Sequence, residues 1–282
     1  MLFSSTTPML VQGITGHHGS FHTKLMLEYG TNIVAGVTPG KGGQEVEGVP
    51  VYDSVSEAKA AHNVEWSIIF VPALFVLDAA LDAIEAGLHI VVISEHVPVH
   101  DVMKILDAAN KKDVFFVGPN CPGIIVPGES KFGIMPGDIF TPGNVGVLSR
   151  SGTLTYEIVS HLTEAGIGQQ CVIGIGGDTI TGVDFLEGLA MMEAEDAIDT
   201  IVLIGEIGGE AEERAATFIK KEVTKPVVAY VAGKTAPPGK TMGHAGAIIS
   251  QGKGTFASKK QALEQAGVKV ASLPKDVITL LS

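Results

Sequence analysis

A single histidine in a glycine-rich segment is the residue of this chain best suited to nucleophilic chemistry. The segment reads Gly243-His244-Ala245-Gly246-Ala247, and its glycines let the backbone approach an anion closely. A neutral imidazole attacks through one ring nitrogen while the other donates a hydrogen bond that fixes the tautomer. A histidine in such a turn is more often a solvated loop residue, so His244 becomes a candidate nucleophile only if other residues support it.

A carboxylate that could orient this imidazole follows an apolar run elsewhere in the chain. Glu206 ends the stretch 201–206 and is followed by Gly208 and Gly209. Open parallel sheets have their binding crevice at the carboxyl ends of strands, where such a residue would lie. We expect Glu206 to accept a hydrogen bond from one ring nitrogen of His244 and to stabilise the cation formed on the ring.

A candidate anion site lies between a predicted strand and a predicted helix. Residues 145–149 are typical of a buried strand, and residues 154–165 are typical of an amphipathic helix. The N–H groups at the start of that helix, with Ser151, Gly152 and Thr153, could hold a phosphate. An ordinary N-cap would need no ligand, but its combination with His244 and Glu206 favours phosphate chemistry.

Short apolar strands alternate with helical stretches along the whole chain, as in α/β proteins with parallel sheets and crossover helices. The first set of strands is predicted at 10–12, 33–37, 67–71, 90–93 and 115–117. The Gly- and Pro-rich stretch 123–144 interrupts the alternation, which resumes with strands near residues 145, 172, 201, 227 and 268. We therefore predict an α/β fold with a Rossmann-like domain over residues 1–122 and a flavodoxin-like domain over residues 123–282.

Composition excludes several classes of function. The 282 residues include 19 Lys and Arg against 31 Asp and Glu, and this net charge of −12 argues against a nucleic-acid or membrane-surface binder. No apolar run approaches membrane-spanning length. Two cysteines cannot form a disulfide framework, which favours a reducing compartment. We expect a cytoplasmic protein, or a mitochondrial matrix protein whose transit peptide has been removed.

Five glycine-containing motifs are distributed along the chain: GVTPGKGG at 36–43, GPNCPG at 118–123, SRSGTLTYE at 149–157, GEIGG at 205–209 and GHAGAI at 243–248. Together they resemble the α subunit of succinyl-CoA synthetase, the succinate–CoA ligase that forms ADP or GDP. The likeness covers essentially the whole chain. It implies a Rossmann-like CoA-binding domain followed by a flavodoxin-like CoA-ligase domain. It further implies that His244 is phosphorylated in turnover, that Glu206 is its partner, and that Tyr156 lies near the substrate.

The resemblance also implies a CoA site in the N-terminal domain. Lys41 is the expected partner of the 3′-phosphate, since an NAD-binding domain would have an acidic residue after its second strand. The chain departs from the family pattern at Ile14, His17, His18 and His96, which affects individual side-chain contacts more than backbone contacts. The implied contacts are Thr15, Gly16, His17, His18, Lys41, Ile93, Ser94 and Glu95.

The implied reaction needs a nucleotide site that this chain does not supply. Its segment 233–241 resembles a P-loop, but five residues separate Gly233 from Gly239, and Pro237 and Pro238 remove N–H donors. The resemblance therefore implies an ATP-grasp β subunit in an αβ or α2β2 heteromer. That partner would hold ADP/ATP or GDP/GTP with Mg²⁺ and part of the dicarboxylate site.

Two alternatives remain open from the sequence. A related ligase for malate or citrate would have the same motifs in this subunit, because much of the acid site belongs to the partner. A non-catalytic CoA- or NAD-binding Rossmann protein would need neither His244 nor Glu206. No metal site is expected, since His18 and His22 are four residues apart with no third ligand evident.

Overall fold

The computed structural model describes residues 3–237, 239–249 and 253–281, which form two compact units. The first unit extends to Met135 and includes Ile180–Gly182, and the second contains Pro136–Thr179 and the chain from Val183 onwards.

The first unit has a mostly parallel sheet in the strand order of a Rossmann fold. Its order is β3-β4-β2-β1-β5-β6-β7, with only the β3–β4 pair antiparallel among the described strands. The chain runs from β1 to β2 on one side and later to β5 on the other, so the topological switch point lies between β1 and β5. The elements are β1 (Met9–Gln12), α1 (His17–Tyr29), β2 (Ile33–Val37), β3 (Glu45–Val46), β4 (Val49–Tyr52), α2 (Val55–Ala61), β5 (Trp66–Ile69), α3 (Val76–Glu85), β6 (His89–Val92), α4 (Val99–Lys112), β7 (Phe116–Val117), β8 (Gly123–Val126) and β9 (Ser130–Gly133).

Apolar side chains of the strands and helices form one buried cluster in this unit. Leu10, Ile69 and Ile90 of the sheet belong to it together with Ala80 and Ile84 of α3. Burying such a side chain stabilises the fold by about 1.5 to 3 kcal/mol. The cluster fixes the strands, and therefore the turns at their carboxyl ends.

The hairpin formed by β8 and β9 belongs to the first unit. Thr31, which follows α1, donates a hydrogen bond to the carbonyl of Lys131 at 2.7 Å and accepts one from its N–H at 3.0 Å. Phe132 packs edge-on against Phe3 and Trp66. The predicted boundary at 122/123 differs from this division because composition showed the turns of 123–144 but not the pairing of the hairpin.

The second unit contains a parallel sheet in the flavodoxin order. Its strands lie in the sequence β14-β13-β12-β10-β11, so the switch point is between β10 and β12. The fold class predicted from the sequence is confirmed in both units. The elements are β10 (Pro142–Ser149), α5 (Gly152–Glu164), β11 (Gln169–Gly174), α6 (Phe185–Ala194), β12 (Thr200–Glu206), α7 (Ala211–Glu222), β13 (Val227–Ala232), α8 (Phe256–Gln265), β14 (Lys269–Ala271) and α9 (Asp276–Leu281).

Candidate functional site

Neighbouring strand ends place Arg150 and Glu206 side by side at one edge of the second sheet. Ser149 of β10 pairs with Ile204 of β12, so the residues that follow these two positions emerge side by side. Arg150 follows β10 and donates its backbone N–H to the carbonyl of Ile204 at 3.0 Å. Glu206 is the last residue of β12. The switch point of this sheet therefore carries a cation and an anion on rigid strand ends.

His244 and Glu206 are in direct contact. Nδ1 of His244 lies 2.7 Å from Oε2 of Glu206, and because a carboxylate only accepts, the imidazole donates. Glu206 is 5% exposed, whereas 29% of the His244 side chain is exposed. The hydrogen bond to Glu206 raises the pKa of His244 above its ordinary value, while burial and the nearby Arg150 act in the opposite direction.

Two glycines make room for these groups. A Cβ at Gly177 would lie 2.4 Å from Cγ of His244, and a Cβ at Gly246 would lie 2.7 Å from Nη2 of Arg150. Contacts under 3.0 Å are essentially never made by real Cβ atoms. A side chain at 177 would therefore displace the imidazole, and one at 246 would displace the guanidinium.

Arg150 completes the charge arrangement around the imidazole. Its Nη2 lies 3.4 Å from Oε1 of Glu206 and donates to the carbonyl of Asp178 at 3.3 Å. At 3.4 Å the two charges attract each other without a hydrogen bond, and Oε1 accepts none from the part of the chain that the structure describes. Arg150 and Glu206 are both buried. The sequence prediction missed Arg150, although it stands inside the motif that carried Ser151.

The N-terminus of α5, which the sequence predicts to be an anion site, follows directly after Arg150. The hydroxyl of Ser151 caps the helix by accepting the N–H of Leu154 at 3.4 Å, and the carbonyl of Ser151 accepts the Thr155 hydroxyl at 2.6 Å. Gly152 is the first helical residue, and Thr153 is exposed. Tyr156, one turn further on, is half-buried. The helix start therefore lies beside the strand end that carries Arg150, with Ser151 buried and Thr153 exposed.

A buried ion pair supports the segment that follows Glu206. The backbone N–H of Glu206 donates to Oε1 of Glu212 at 3.0 Å, and the other oxygen of Glu212 pairs with the ammonium of Lys259. Lys259 also lies 3.1 Å from Glu213 and donates to the carbonyl of Gly209 at 3.2 Å. The side chains of Glu212 and Lys259 are fully buried. Sequence reasoning missed this pair, because nothing in the motifs shows that α7 and α8 face each other.

The arrangement can transfer a group to the second ring nitrogen of His244. With Nδ1 donating to Glu206, the lone pair of a neutral imidazole is on Nε2. Glu206 then stabilises the positive charge that develops on the ring when Nε2 bonds to an electrophile. The nearby helix N-terminus favours a negatively charged electrophile, such as a phosphoryl group.

The first unit has a cleft of about 630 Å³ at its own switch point. Turns after β1, β2 and β5 line it, and Thr15 donates its hydroxyl to Thr38 at 3.1 Å across two of those turns. A Cβ at Gly36 would lie 2.5 Å from the side chain of Ile14, so Gly36 accommodates that residue. The lining residues include Gln12, Gly13, Thr15, Gly16, Thr38, Asp53, Phe70, Phe75, Asp78 and Asp82.

The predicted CoA contacts lie at different positions relative to this cleft. Thr15 and Gly16 line it, whereas the other predicted contacts are not among its lining residues. His17, His18, Lys41 and Glu95 are exposed, and α1 begins at His17. Ile93 and Ser94 follow β6, where the Ser94 hydroxyl donates to the carbonyl of Val71 at 2.5 Å. The carboxylates of Asp53, Asp78 and Asp82 were missed, because they carry no motif.

Two further side chains, His22 and Cys121, have packing or hydrogen-bond partners within the protein. His22 stacks on Phe70 with ring centroids 5.5 Å apart, and burial lowers its pKa to about 4. Cys121 is buried, and its thiol donates to the carbonyl of Val92. No group of three potential metal ligands occurs among the described residues. In the P-loop-like segment, Pro238 lies outside the described residues.

Comparison with protein families matches both units. A CoA binding domain matches residues 4–96, and a CoA-ligase domain matches residues 148–269. Both matches are compatible with the predicted boundary and with the observed division. No helix in the described part of the chain is long and apolar enough to cross a membrane.

Curated relatives match the chain over nearly its whole length. It is 56% identical over 278 residues to the succinate–CoA ligase (ADP-forming) subunit alpha of Methanothermobacter thermautotrophicus, covering 99% of this chain and 94% of that relative. It is 54% identical to the subunit of the same name from Staphylococcus aureus (strain Mu50), covering 98% and 92%.

Among solved structures, ATP citrate lyase from Methanothrix soehngenii, in complex with citrate and coenzyme A, matches with a TM-score of 0.88 and 26% identity. All of this chain is covered, but the chain spans only 51% of the length of that lyase.

Proposed function

Since the chain belongs to the family of succinate–CoA ligase α subunits, we propose that it acts as that subunit of the enzyme. The enzyme would interconvert succinate, CoA and nucleoside triphosphate with succinyl-CoA, nucleoside diphosphate and phosphate. The observation that carries the proposal is the 2.7 Å contact between Nδ1 of His244 and Glu206 at a strand-end crevice. A nucleotide-sensing Rossmann protein would have no need of this pair.

The phosphoryl group passes through His244 in the proposed mechanism. Nε2 attacks the γ-phosphorus of the triphosphate, an N–P bond forms, and the bond to the departing diphosphate breaks. A succinate carboxylate oxygen then attacks the phosphorus, which regenerates the imidazole and gives an acyl phosphate. The CoA thiol attacks the acyl carbon and phosphate leaves, with the thiol proton passing to solvent or phosphate.

Residues at the start of α5 are the proposed phosphate cradle. The N–H groups of Gly152 and Thr153 and the hydroxyls of Ser151 and Thr153 can donate to the phosphoryl oxygens, and the helix dipole adds to their effect. Tyr156 is proposed to contact the substrate that the partner helps to bind. Positioning and charge stabilisation of this kind supply most of the catalysis of phosphoryl transfer.

Coenzyme A binding is supported by the family match over residues 4–96. We place its nucleotide portion in the cleft after β1, β2 and β5, with Thr15 and Gly16 contacting the ligand. Lys41 and His17 are exposed, so they would reach its phosphates from outside the cleft lining. The remaining proposed contacts are His18, Ile93, Ser94 and Glu95.

The nucleotide site is proposed to lie on a partner. The curated relatives are named as alpha subunits, which implies a second subunit. We propose that it is an ATP-grasp β subunit that binds nucleotide and Mg²⁺ in an αβ or α2β2 assembly, covering the surface around Tyr156 and His244. Because these relatives are named ADP-forming, ADP and ATP are the proposed nucleotides. We propose a cytoplasmic location, on the charge and cysteine content of the chain.

Reconstitution with the native partner tests this function. The co-purified complex should form acyl-CoA from succinate, CoA and ATP, and should prefer succinate in a panel with malate and citrate. Succinate is favoured because identity is 53–56% to succinate ligases but 26% to the citrate lyase. Turnover by this chain alone at an ordinary enzymatic rate would refute the shared site, and a preference for citrate or malate would refute the substrate.

A further inference from the structure

One oxygen of the Glu206 carboxylate has a charge beside it but no hydrogen bond. Oε2 accepts from His244, whereas Oε1 is buried and accepts no hydrogen bond from the described part of the chain. With hydrogen bonds to only one oxygen, the carboxylate group could rotate away from His244. Burying its charge is also costly unless the charge is paired. The guanidinium of Arg150, 3.4 Å from Oε1, supplies that pairing.

Arg150 is itself held firmly. Its backbone N–H bonds to the carbonyl of Ile204, the strand neighbour of Ser149, so its Cα is fixed to the sheet. Its guanidinium donates to the carbonyl of Asp178, and the side chain is 9% exposed. Gly246, two residues after His244, leaves the space that the guanidinium occupies. The glycine at position 246 therefore leaves room for the guanidinium of Arg150 next to the segment that carries His244.

We propose that Arg150 is a positioning residue for phosphoryl transfer, whose guanidinium holds Oε1 of Glu206 so that Oε2 stays directed at Nδ1 of His244. The expected effect on the rate of phosphorylation rests on the proposed function, whereas the contact between Arg150 and Glu206 lies within this chain. Arg150 reaches the reacting nitrogen through Glu206, not by contact with Nε2.

Arg150 also offsets part of the charge of Glu206 at the imidazole. The groups that face His244 are Glu206 at the end of β12, Asp178 after β11 and Arg150 after β10. The carboxylates raise the pKa of His244, and Arg150 lowers it. Loss of the cation would therefore raise the pKa of His244 by removing a charge and lower it by releasing Glu206, so the ring tautomer reports the position of the carboxylate.

The experiment is a ¹⁵N NMR measurement of the two ring nitrogens of His244 in the 282-residue chain, at a pH where the imidazole is neutral. In the wild type the proton should stay on Nδ1, because this nitrogen donates to Oε2 of Glu206. Arg150→Met should give a mixture of the two tautomers, because Oε2 is no longer held against Nδ1, whereas Arg150→Lys should stay near wild type. An unchanged amide spectrum away from the site distinguishes this loss of orientation from a general loss of structure. Gly246→Ala gives a second route, because its Cβ displaces the guanidinium and should give the same mixture of tautomers as Arg150→Met.

Single-turnover phosphorylation with the native partner gives the kinetic readout. Arg150→Met should slow it about 10- to 100-fold, as loss of an orienting group often does, and Arg150→Lys should keep more of the rate. A ring proton that stays on Nδ1 in both Arg150→Met and Gly246→Ala would overturn the inference. Absence of phosphorylation in the wild type would instead refute the proposed function, while the tautomer of His244 would still decide the role of Arg150.

Discussion

The two switch points of this molecule are formed by different kinds of groups: buried charged side chains in one and backbone turns in the other. In the second unit, the crevice between β10 and β12 is set by buried charges, Arg150, Glu206 and the Glu212–Lys259 pair behind them. In the first unit, the cleft between β1 and β5 is set by backbone turns, while Lys41 and His17 are exposed.

The difference agrees with the proposed role of each site. A nucleophile needs a fixed orientation and a defined protonation state, and buried partners provide both. A nucleotide ligand brings its own charges and shape, so turns with close backbone approach are sufficient, and exposed side chains can close on the phosphates afterwards. Substitutions in the second unit should therefore cost more than substitutions at the rim of the first.

The largest effect is expected at Lys259. Lys259→Met should lower the free energy of unfolding by about 3 to 5 kcal/mol, because it leaves the carboxylate of Glu212 buried without its cation. Chemical denaturation provides the measurement. Its matched control is Lys260→Met, the next residue, whose pair with Glu264 is partly exposed and should contribute about 0 to 1 kcal/mol. Equal losses for the two variants would remove the distinction between buried and exposed charge.

Glu206→Gln tests the orienting carboxylate. It should slow phosphorylation of His244 by roughly ten- to a thousandfold, because the amide cannot stabilise the imidazolium as a carboxylate does. Single-turnover labelling with the native partner measures the rate. Glu210→Gln is the matched control, since Glu210 is exposed and paired with Lys253. If Glu206→Gln were as fast as the control, the carboxylate would serve structure alone.

A smaller effect is expected at the rim of the cleft in the first unit. Lys41→Ala should weaken CoA binding by about 1.5 to 3 kcal/mol and dephospho-CoA binding much less, because a charge-assisted contact to the 3′-phosphate is lost. Calorimetry on both ligands measures the difference. Lys24→Ala, at an exposed lysine of α1, should change neither. Equal losses for the two ligands would move Lys41 away from that phosphate.

The smallest effect is the pH dependence of stability at His244. Its pKa is raised in the folded state by Glu206, so this interaction stabilises the fold fully below the ordinary value of 6.5 and disappears as pH rises through the raised pKa. The stability difference between wild type and Glu206→Gln should therefore be larger at pH about 5.5 than at about 8.5, by on the order of 1 kcal/mol or less. A difference that grew with pH would contradict the assigned direction.

Alternation and turn composition predicted most of the parallel strands of both sheets, but not β3 and β4 of the first sheet. Strand ends such as Gln12 and Glu206 were located because apolar runs stop at glycines or polar residues there. The β8–β9 hairpin was missed, since its pairing depends on contacts with Thr31 and Phe3 that are far away in sequence. Local composition cannot encode such contacts.

The contact of His244 with Glu206 could be predicted, because each residue stands in a motif with its own chemical logic. The residues that hold this pair in place could not be predicted. Arg150 acquires its role only when β10 lies beside β12, and Lys259 only when α8 packs on α7, so both depend on tertiary packing. Glycines 177 and 246 likewise show their purpose only once the imidazole and the guanidinium are in place.

The central claim is that His244 carries the phosphoryl group, and labelling tests it most directly. The complex of this chain with its native partner, incubated with γ-labelled ATP, should acquire an acid-labile, base-stable label that maps to His244. His244→Asn should abolish the label, and succinate with CoA should discharge it from the wild type. A label that survives in His244→Asn, or that is stable to acid, would contradict the account.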